Sequence, residues 1–291
     1  MRYEGAIYRP PSEANSLIIQ TTIGCSHNQC TFCVVFMDKK YRERELAEIE
    51  KDINEMARSL GTVRRVFLAD GNAMAMQTDN LISVLQKLHN AFPHLERVGI
   101  YATPQDLLEK SESELTAIKE AGLGIVYLGV ETGNEALLAW IRKGATRDEI
   151  IKAGKRARAA GLVLSITVIN GLGGTDKMEA HAKDTATLLN QIDPEYLGLL
   201  TLMVCDGTPI ARKVERGEFT VPGQLDILKE IEMMLRSLEL SNCVFRCNHA
   251  SNYLPLKGNL PADQQKLLKI LETVRLSGDL SHLRPEHLRA L

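Results

Sequence analysis

Six times between residues 16 and 204 a short apolar run gives way to a longer stretch of mixed apolar and charged residues. The runs are SLIIQTTI (16–23), RRVFLAD (64–70), RVGIYAT (97–103), IVYLGVE (125–131), LVLSITVIN (162–170) and YLGLLTLMV (196–204). Each is rich in β-branched and aromatic residues and nearly continuous in apolar character, the pattern of strands buried on both faces. The stretches between them carry helical periodicity. In RELAEIEKDINEMARSLG, residues Leu46, Ile49, Ile53, Met56, Ala57 and Leu60 make one apolar stripe, and Gly61 ends it. SESELTAIKEAG opens with a Ser-x-x-Glu capping pattern and closes at Gly122. TRDEIIKAGKRARAAG runs from a Thr146 cap to Gly161, and DKMEAHAKDTATLLNQI follows the fifth run. Strand, helix and parallel strand in repetition predict an α/β fold with a parallel sheet, open or curled into a partial or full barrel.

After residue 205 the rhythm changes. A long helical segment, QLDILKEIEMMLRSLEL, precedes the short run CVFRCNHASNYLPL, a second helix ADQQKLLKILETVRL and a charged tail. The chain is long enough for one large core, and no low-complexity linker divides it. With 35 Lys+Arg against 37 Asp+Glu it lacks the basic excess of a nucleic-acid binder, so a small-molecule substrate is expected. No stretch approaches the roughly 18 apolar residues of a membrane span, and the N-terminus lacks a signal peptide's apolar core. The expectation is a cytoplasmic protein, where cysteines stay reduced and serve as metal ligands or packing residues.

In parallel α/β folds chemistry collects where the strands end. Those ends read Cys25/Cys30/Cys33, Asp70-Gly71-Asn72, Tyr101-Ala102-Thr103, Glu131-Thr132-Gly133, Asn170-Gly171 and Cys205-Asp206-Gly207. Three cysteines within nine positions suit an iron–sulfur cluster with one iron left open. Zinc would need a fourth ligand, with His27 nearest, and plain packing is the third reading. The Gly171–Gly174 run follows a strand, yet Asp176 stands where a dinucleotide loop has its third glycine. Glu131 has a bland reading too, as a strand-end acid pairing with Arg142 or Lys143.

The cysteine loop after a first strand, with Phe32 just before the last cysteine, resembles the radical S-adenosylmethionine (SAM) superfamily. So do ADGN after the second strand, YLGVETGNEALLAWIRKGAT after the fourth and ITVINGLGGT at the fifth. The resemblance implies a partial (β/α)6 TIM-like barrel with a C-terminal α/β extension. It implies a 4Fe–4S cluster on Cys25, Cys30 and Cys33, whose open iron binds SAM. Phe32, Asp70, Gly71, Asn72, Glu131, Thr167, Asn170 and Gly171 fall at the cofactor-binding positions. The implied activity is reductive cleavage of SAM to a 5′-deoxyadenosyl radical, with a reductant such as flavodoxin or ferredoxin as partner. Two departures stand out: four residues, instead of three, separate Cys25 from Cys30, and Asn72 occupies a position where an acid is usual.

On this reading residues 1–15 form an N-terminal extension and 16–205 the core barrel, with 206–291 an extension covering the barrel mouth. Arg246, Asn248, His249 and Asn252 then become candidate substrate-binding residues, while His181 reads as structural. Cys205, Cys243 and Cys247 raise the alternative of an auxiliary cluster. Against it, four steps along an extended chain separate two side chains by roughly 13 Å.

Overall fold

The structure is a computed structural model in which residues 2–290 are described. The strands are β1 (Leu17–Gln20), β2 (Thr22–Ile23), β3 (Arg42–Glu43), β4 (Arg65–Ala69), β5 (Arg97–Ala102), β6 (Leu123–Glu131), β7 (Val163–Asn170), β8 (Tyr196–Thr201), β9 (Cys243–Cys247) and β10 (Leu256–Leu260). The helices are α1 (Leu46–Ser59), α2 (Thr78–Ala91), α3 (Pro104–Glu109), α4 (Glu112–Glu120), α5 (Glu135–Trp140), α6 (Arg147–Ala159), α7 (Met178–Ile192), α8 (Pro209–Glu215), α9 (Gln224–Arg236) and α10 (Gln264–Ser277). Eight strands form one sheet in the order β1-β4-β5-β6-β7-β8-β9-β10, and β2 pairs separately with β3. Pairing is parallel from β1 through β5 to β6 and from β7 through β8 to β9, while β10 returns antiparallel to β9. The order ends on β1 and β10 without closing. The fold is α/β, as the strand–helix rhythm requires.

The chain divides into two compact units. The first holds the chain through Asn28, then Val35–Leu128 and Lys152–Leu164. Its core sets Ile19, Phe67, Leu68, Val98 and Ile100 of the strands together with Ile49 and Ile53 of α1 and Leu81, Leu85 and Leu88 of α2, all fully buried. Each such side chain contributes about 1.5–3 kcal/mol by leaving water. Capping is local and strong here. Ser111 accepts from Glu114 N–H at 3.2 Å, and the Glu114 carboxylate accepts from Ser111 N–H at 2.7 Å.

The second unit holds Gln29–Val34, Gly129–Ile151 and the chain from Ser165 onward. After residue 205 the chain adds β9 and β10 to the sheet, and α9 packs on α7 while α10 packs on α9 and β10. Among the described residues no helix is long and apolar enough to cross a membrane.

Three local expectations need correction. The first run splits at Thr21: its N–H still reaches Ala69 O on β4, but its carbonyl accepts from Arg44 N–H at 3.0 Å, and β2 then pairs with β3. The α1 stripe stops short: the helix ends at Ser59 and Leu60 is 44% exposed. Strands β7 and β8 are buried on one face only, alternating with half-buried positions along their length. An apolar run reports a preference for leaving water, and the half-buried positions show that the preference is only partly met.

Candidate active site

In the first unit the chain leaves β2 at Gly24 and is fastened at once to the end of β4. Gly24 N–H donates to Asp70 Oδ2 at 3.1 Å, and Gly71 N–H donates to Gly24 O at 3.1 Å. The two backbones lie so close that a Cβ on Gly71 would stand 2.8 Å from Cys25 Cβ and 2.8 Å from Gly24 O. Only glycine fits there. Next along, Ser26 N–H donates to Asn72 Oδ1 at 2.8 Å, and Asn72 Nδ2 donates to Ser26 Oγ at 2.7 Å and to the Asp106 carboxylate at 3.0 Å. Burial pushes the Asp106 carboxyl up, and its bonds from Thr103 and Asn72 pull the other way.

Between Cys25 and Cys30 the chain turns at Asn28. Its φ of 40° lies in the left-handed region, which Asn tolerates better than most residues. Its Nδ2 donates to Phe36 O at 2.8 Å and to Lys39 O at 3.3 Å, so the loop is tied across its base there. Lys39 then reaches back to Asp70 Oδ2 at 2.7 Å, with both side chains buried. Asp70 Oδ2 is thus crowded, whereas its buried Oδ1 has no hydrogen-bond partner among the described residues. A buried carboxylate oxygen in that state is uncommon and marks a place where a donor is wanted.

In the second unit Cys33 N–H donates to Cys30 O at 3.2 Å, closing a turn. Thr31 pins that turn on both sides, donating to Ile141 O at 2.9 Å and accepting from Ile210 N–H at 3.1 Å. Phe32 packs against the apolar cluster of Ile141, Leu172, Leu202 and Ile210. Cys25, Cys30 and Cys33 are half-buried and form no disulfide. No three His, Cys, Asp or Glu side chains among the described residues are grouped to hold a metal ion. Half-buried thiols on a tied loop are the donor chemistry that an iron–sulfur cluster requires.

Glu131 ends β6 with φ 65°, a conformation that costs a non-glycine residue about 1–3 kcal/mol. Its Oε1 meets Lys143 Nζ at 2.9 Å. On β7, Thr167 lies on the half-buried face and Asn170 on the buried one, so the strand points them to opposite sides. Asn170 Nδ2 donates to Leu200 O at 3.1 Å, and its buried Oδ1 has no partner among the described residues. Gly171 follows at φ 89°, and its N–H donates to Glu230 Oε1 at 2.9 Å. Sequence reasoning passed over Glu230. The available signal was an acid on the stripe that Ile227, Ile231 and Met234 make along α9.

Because β9 runs parallel to β8, the segment after it emerges where β8 ends. There Thr201 N–H donates to Ser251 Oγ at 3.1 Å and Thr201 Oγ1 donates to Asn252 Oδ1 at 2.9 Å, while Asn252 Nδ2 donates to Leu199 O at 2.7 Å. Asn252 is therefore buried and tied to the strand. His249 is half-buried, with Nδ1 2.9 Å from Ser251 Oγ, and burial beside the Arg284 charge pushes its pKa down. Asn248 and Arg246 are exposed, and Arg246 turns back to Phe245 O and Gly258 O. The structure brings His249, Ser251 and Asn252 together and leaves Arg246 on the strand.

The auxiliary-cluster alternative finds no support. Cys243 and Cys247 sit at opposite ends of β9, fully buried, with thiols pushed up to about 12 by burial. A straight five-residue strand keeps them too far apart to share a cluster. Cys205 lies in the loop after β8, its thiol also raised by burial.

The model of the radical SAM superfamily matches residues 19–188. The heme chaperone HemW of Bacillus subtilis (strain 168) is 25% identical over 224 residues, which cover 74% of this chain and 58% of that protein. The tRNA-2-methylthio-N(6)-dimethylallyladenosine synthase of Clostridium tetani (strain Massachusetts / E88) is 24% identical over 264 residues, 87% of this chain and 56% of that one. The chain thus spans a little over half the length of these two relatives. Among solved structures, coproporphyrinogen III oxidase (HemN) from Escherichia coli superposes with TM-score 0.61 at 20% identity, covering 76% of this chain and 52% of that one. Methylornithine synthase (PylB) superposes with TM-score 0.55 at 18% identity, covering 77% and 63%. At such identities the likeness speaks for the fold.

Proposed function

This chain belongs to the radical SAM superfamily, whose members use a 4Fe–4S cluster and SAM, and from that premise we propose that it cleaves SAM reductively to act on a small-molecule substrate. Cys25, Cys30 and Cys33 would hold the cluster, which when bound supplies the electron that splits SAM into methionine and a 5′-deoxyadenosyl radical. The observation that carries the reading is Asp70: a buried carboxylate with one oxygen tied to the cysteine loop and the other lacking a donor. An ammonium is the donor such an oxygen prefers, and charge-assisted bonds of this kind are about twice as strong as neutral ones. Asn72 takes a different part from the acid usual at its position. Its amide ties down Ser26, so it shapes the loop.

Glu131, held by Lys143, would accept from ribose hydroxyls or the amino-acid end of SAM. Asn170 and Gly171 would lie toward the adenine, with Thr167 on the other face of β7, and Phe32 would back the cysteine turn from the apolar cluster. On the substrate side His249, with Asn248 beside it, would face the ligand, while Asn252 keeps the segment seated on β8. The relatives named above differ in what they act on, so the substrate class rests on this chain's near-neutral charge balance. The reductant would be a flavodoxin or ferredoxin.

The test is anaerobic reconstitution followed by incubation with SAM and dithionite. Brown protein with about four irons per chain and released 5′-deoxyadenosine is expected. Single Cys→Ala variants at 25, 30 and 33 should keep their helix content and lose that product. Colourless protein, or product from any of the three variants, would overturn the assignment. Substituting His249 by Ala should spare SAM cleavage and abolish substrate turnover.

A further inference from the structure

We propose that His181 and Glu230 form a buried positioning pair through which α9 fixes the ends of β6 and β7, and that SAM affinity depends on it. The proposal rests on the assignment of those two strand ends to SAM. Both side chains are fully buried, one on α7 and the other on α9. His181 Nδ1 stands 2.7 Å from Thr132 Oγ1, and Nε2 stands 3.3 Å from Glu230 Oε1, close but off-axis. The same Glu230 oxygen accepts from Gly171 N–H at 2.9 Å. A carboxylate oxygen opposite Nε2 calls for a proton on that nitrogen, which leaves Nδ1 of a neutral imidazole to accept from the Thr132 hydroxyl.

A single chain of contacts therefore runs from Thr132, the residue after Glu131, through His181 and Glu230 to Gly171, the residue after Asn170. Burying a carboxylate this deeply is costly, and an apolar side chain would continue the α9 stripe without the penalty. What the acid supplies is an acceptor for an N–H that leaves the sheet in a left-handed turn and would otherwise be buried without one. What the histidine supplies is a rigid spacer that ties that acceptor to the neighbouring strand end. The two ends are thereby held at one separation, which a ligand bridging adenine and ribose would read.

Two near-isosteric variants separate the halves of the pair. His181→Asn keeps a polar atom at Nδ1 for Thr132 and loses Glu230; His181→Gln keeps one at Nε2 for Glu230 and loses Thr132. In the reconstituted full chain, each should raise the Kd for SAM about tenfold, read from the SAM-induced change in the reduced cluster's EPR spectrum, with iron content unchanged. In the cluster-free chain, amide hydrogen exchange over residues 165–178 should quicken in His181→Asn. Should either variant fail to fold, Thr132→Val removes the hydroxyl at constant volume and should weaken SAM equally, while Thr132→Ser should bind as wild type. Unchanged SAM affinity and unchanged exchange in folded variants would reduce the pair to ordinary core. An iron-loaded wild type that does not bind SAM would instead remove the assignment of the strand ends, and the exchange measurement would still decide whether the pair positions them.

Discussion

Lys143 Nζ stands 2.9 Å from Glu131 Oε1, and neither side chain is more than a tenth exposed. The acid at the end of β6 is thus one half of a buried ion pair, and the ligand role proposed for it has to be exercised from within that pair. Removing one partner leaves the other charge buried and uncompensated, which typically costs about 3–5 kcal/mol. Glu131→Gln and Lys143→Met should each be destabilising by urea unfolding, and the double variant should cost clearly less than their sum. Additive losses would mean that the two groups do not interact in solution.

Gly71 offers a steric test of the cysteine loop. A methyl group at Gly71 meets Cys25 and Gly24 backbone at under 3 Å, so Gly71→Ala must displace the loop. It should lose most of its reconstituted iron while its circular dichroism stays unchanged. Gly61 serves as the control: its Cβ would meet nothing within 4 Å, and Gly61→Ala should be neutral or stabilising by up to about 1 kcal/mol. Full iron loading in Gly71→Ala would show that the loop is looser than its contacts imply.

Asn28 tests how the wider loop is held. Asn28→Ala loses two side-chain hydrogen bonds and puts at φ 40° a residue that tolerates the left-handed region less well than Asn, together about 1–3 kcal/mol. Asn28→Gly loses the bonds and keeps the backbone free. Iron retained during gel filtration should fall in the order wild type, Gly, Ala. Equal retention in all three would assign the turn no part in holding the cluster.

The cysteines divide by burial. In the native cluster-free chain at pH 8, iodoacetamide should label Cys25, Cys30 and Cys33, which are half-buried. Cys243 and Cys247 should stay unlabelled until the chain unfolds, because they are buried and their thiols titrate near 12. Peptide mapping by mass spectrometry reads all five positions. Labelling of the β9 pair at the rate of the loop cysteines would mean that β9 opens in the native state.

From residue order alone the strand–helix alternation, the Ser111 cap and the position of the cysteine loop at a strand end could all be read. These depend on repeats of two and 3.6 residues and on spacings of a few positions, which are properties of neighbouring residues. Which distant groups meet was decided only by the tertiary structure. Ser26 and Asn72 are 46 positions apart, so nothing local tells that the Asn72 amide is bonded to the loop. Asn252 reads as a free polar residue until β8 lies beside it, 51 positions away, and takes up its amide. Glu230 looks like a flaw in an apolar stripe until Gly171, 59 positions earlier, presents its N–H. A polar side chain has the same composition whether it faces solvent, a ligand or the backbone of another segment. The choice among them belongs to the packing of the chain, because a buried polar group must find its partner wherever the fold supplies one.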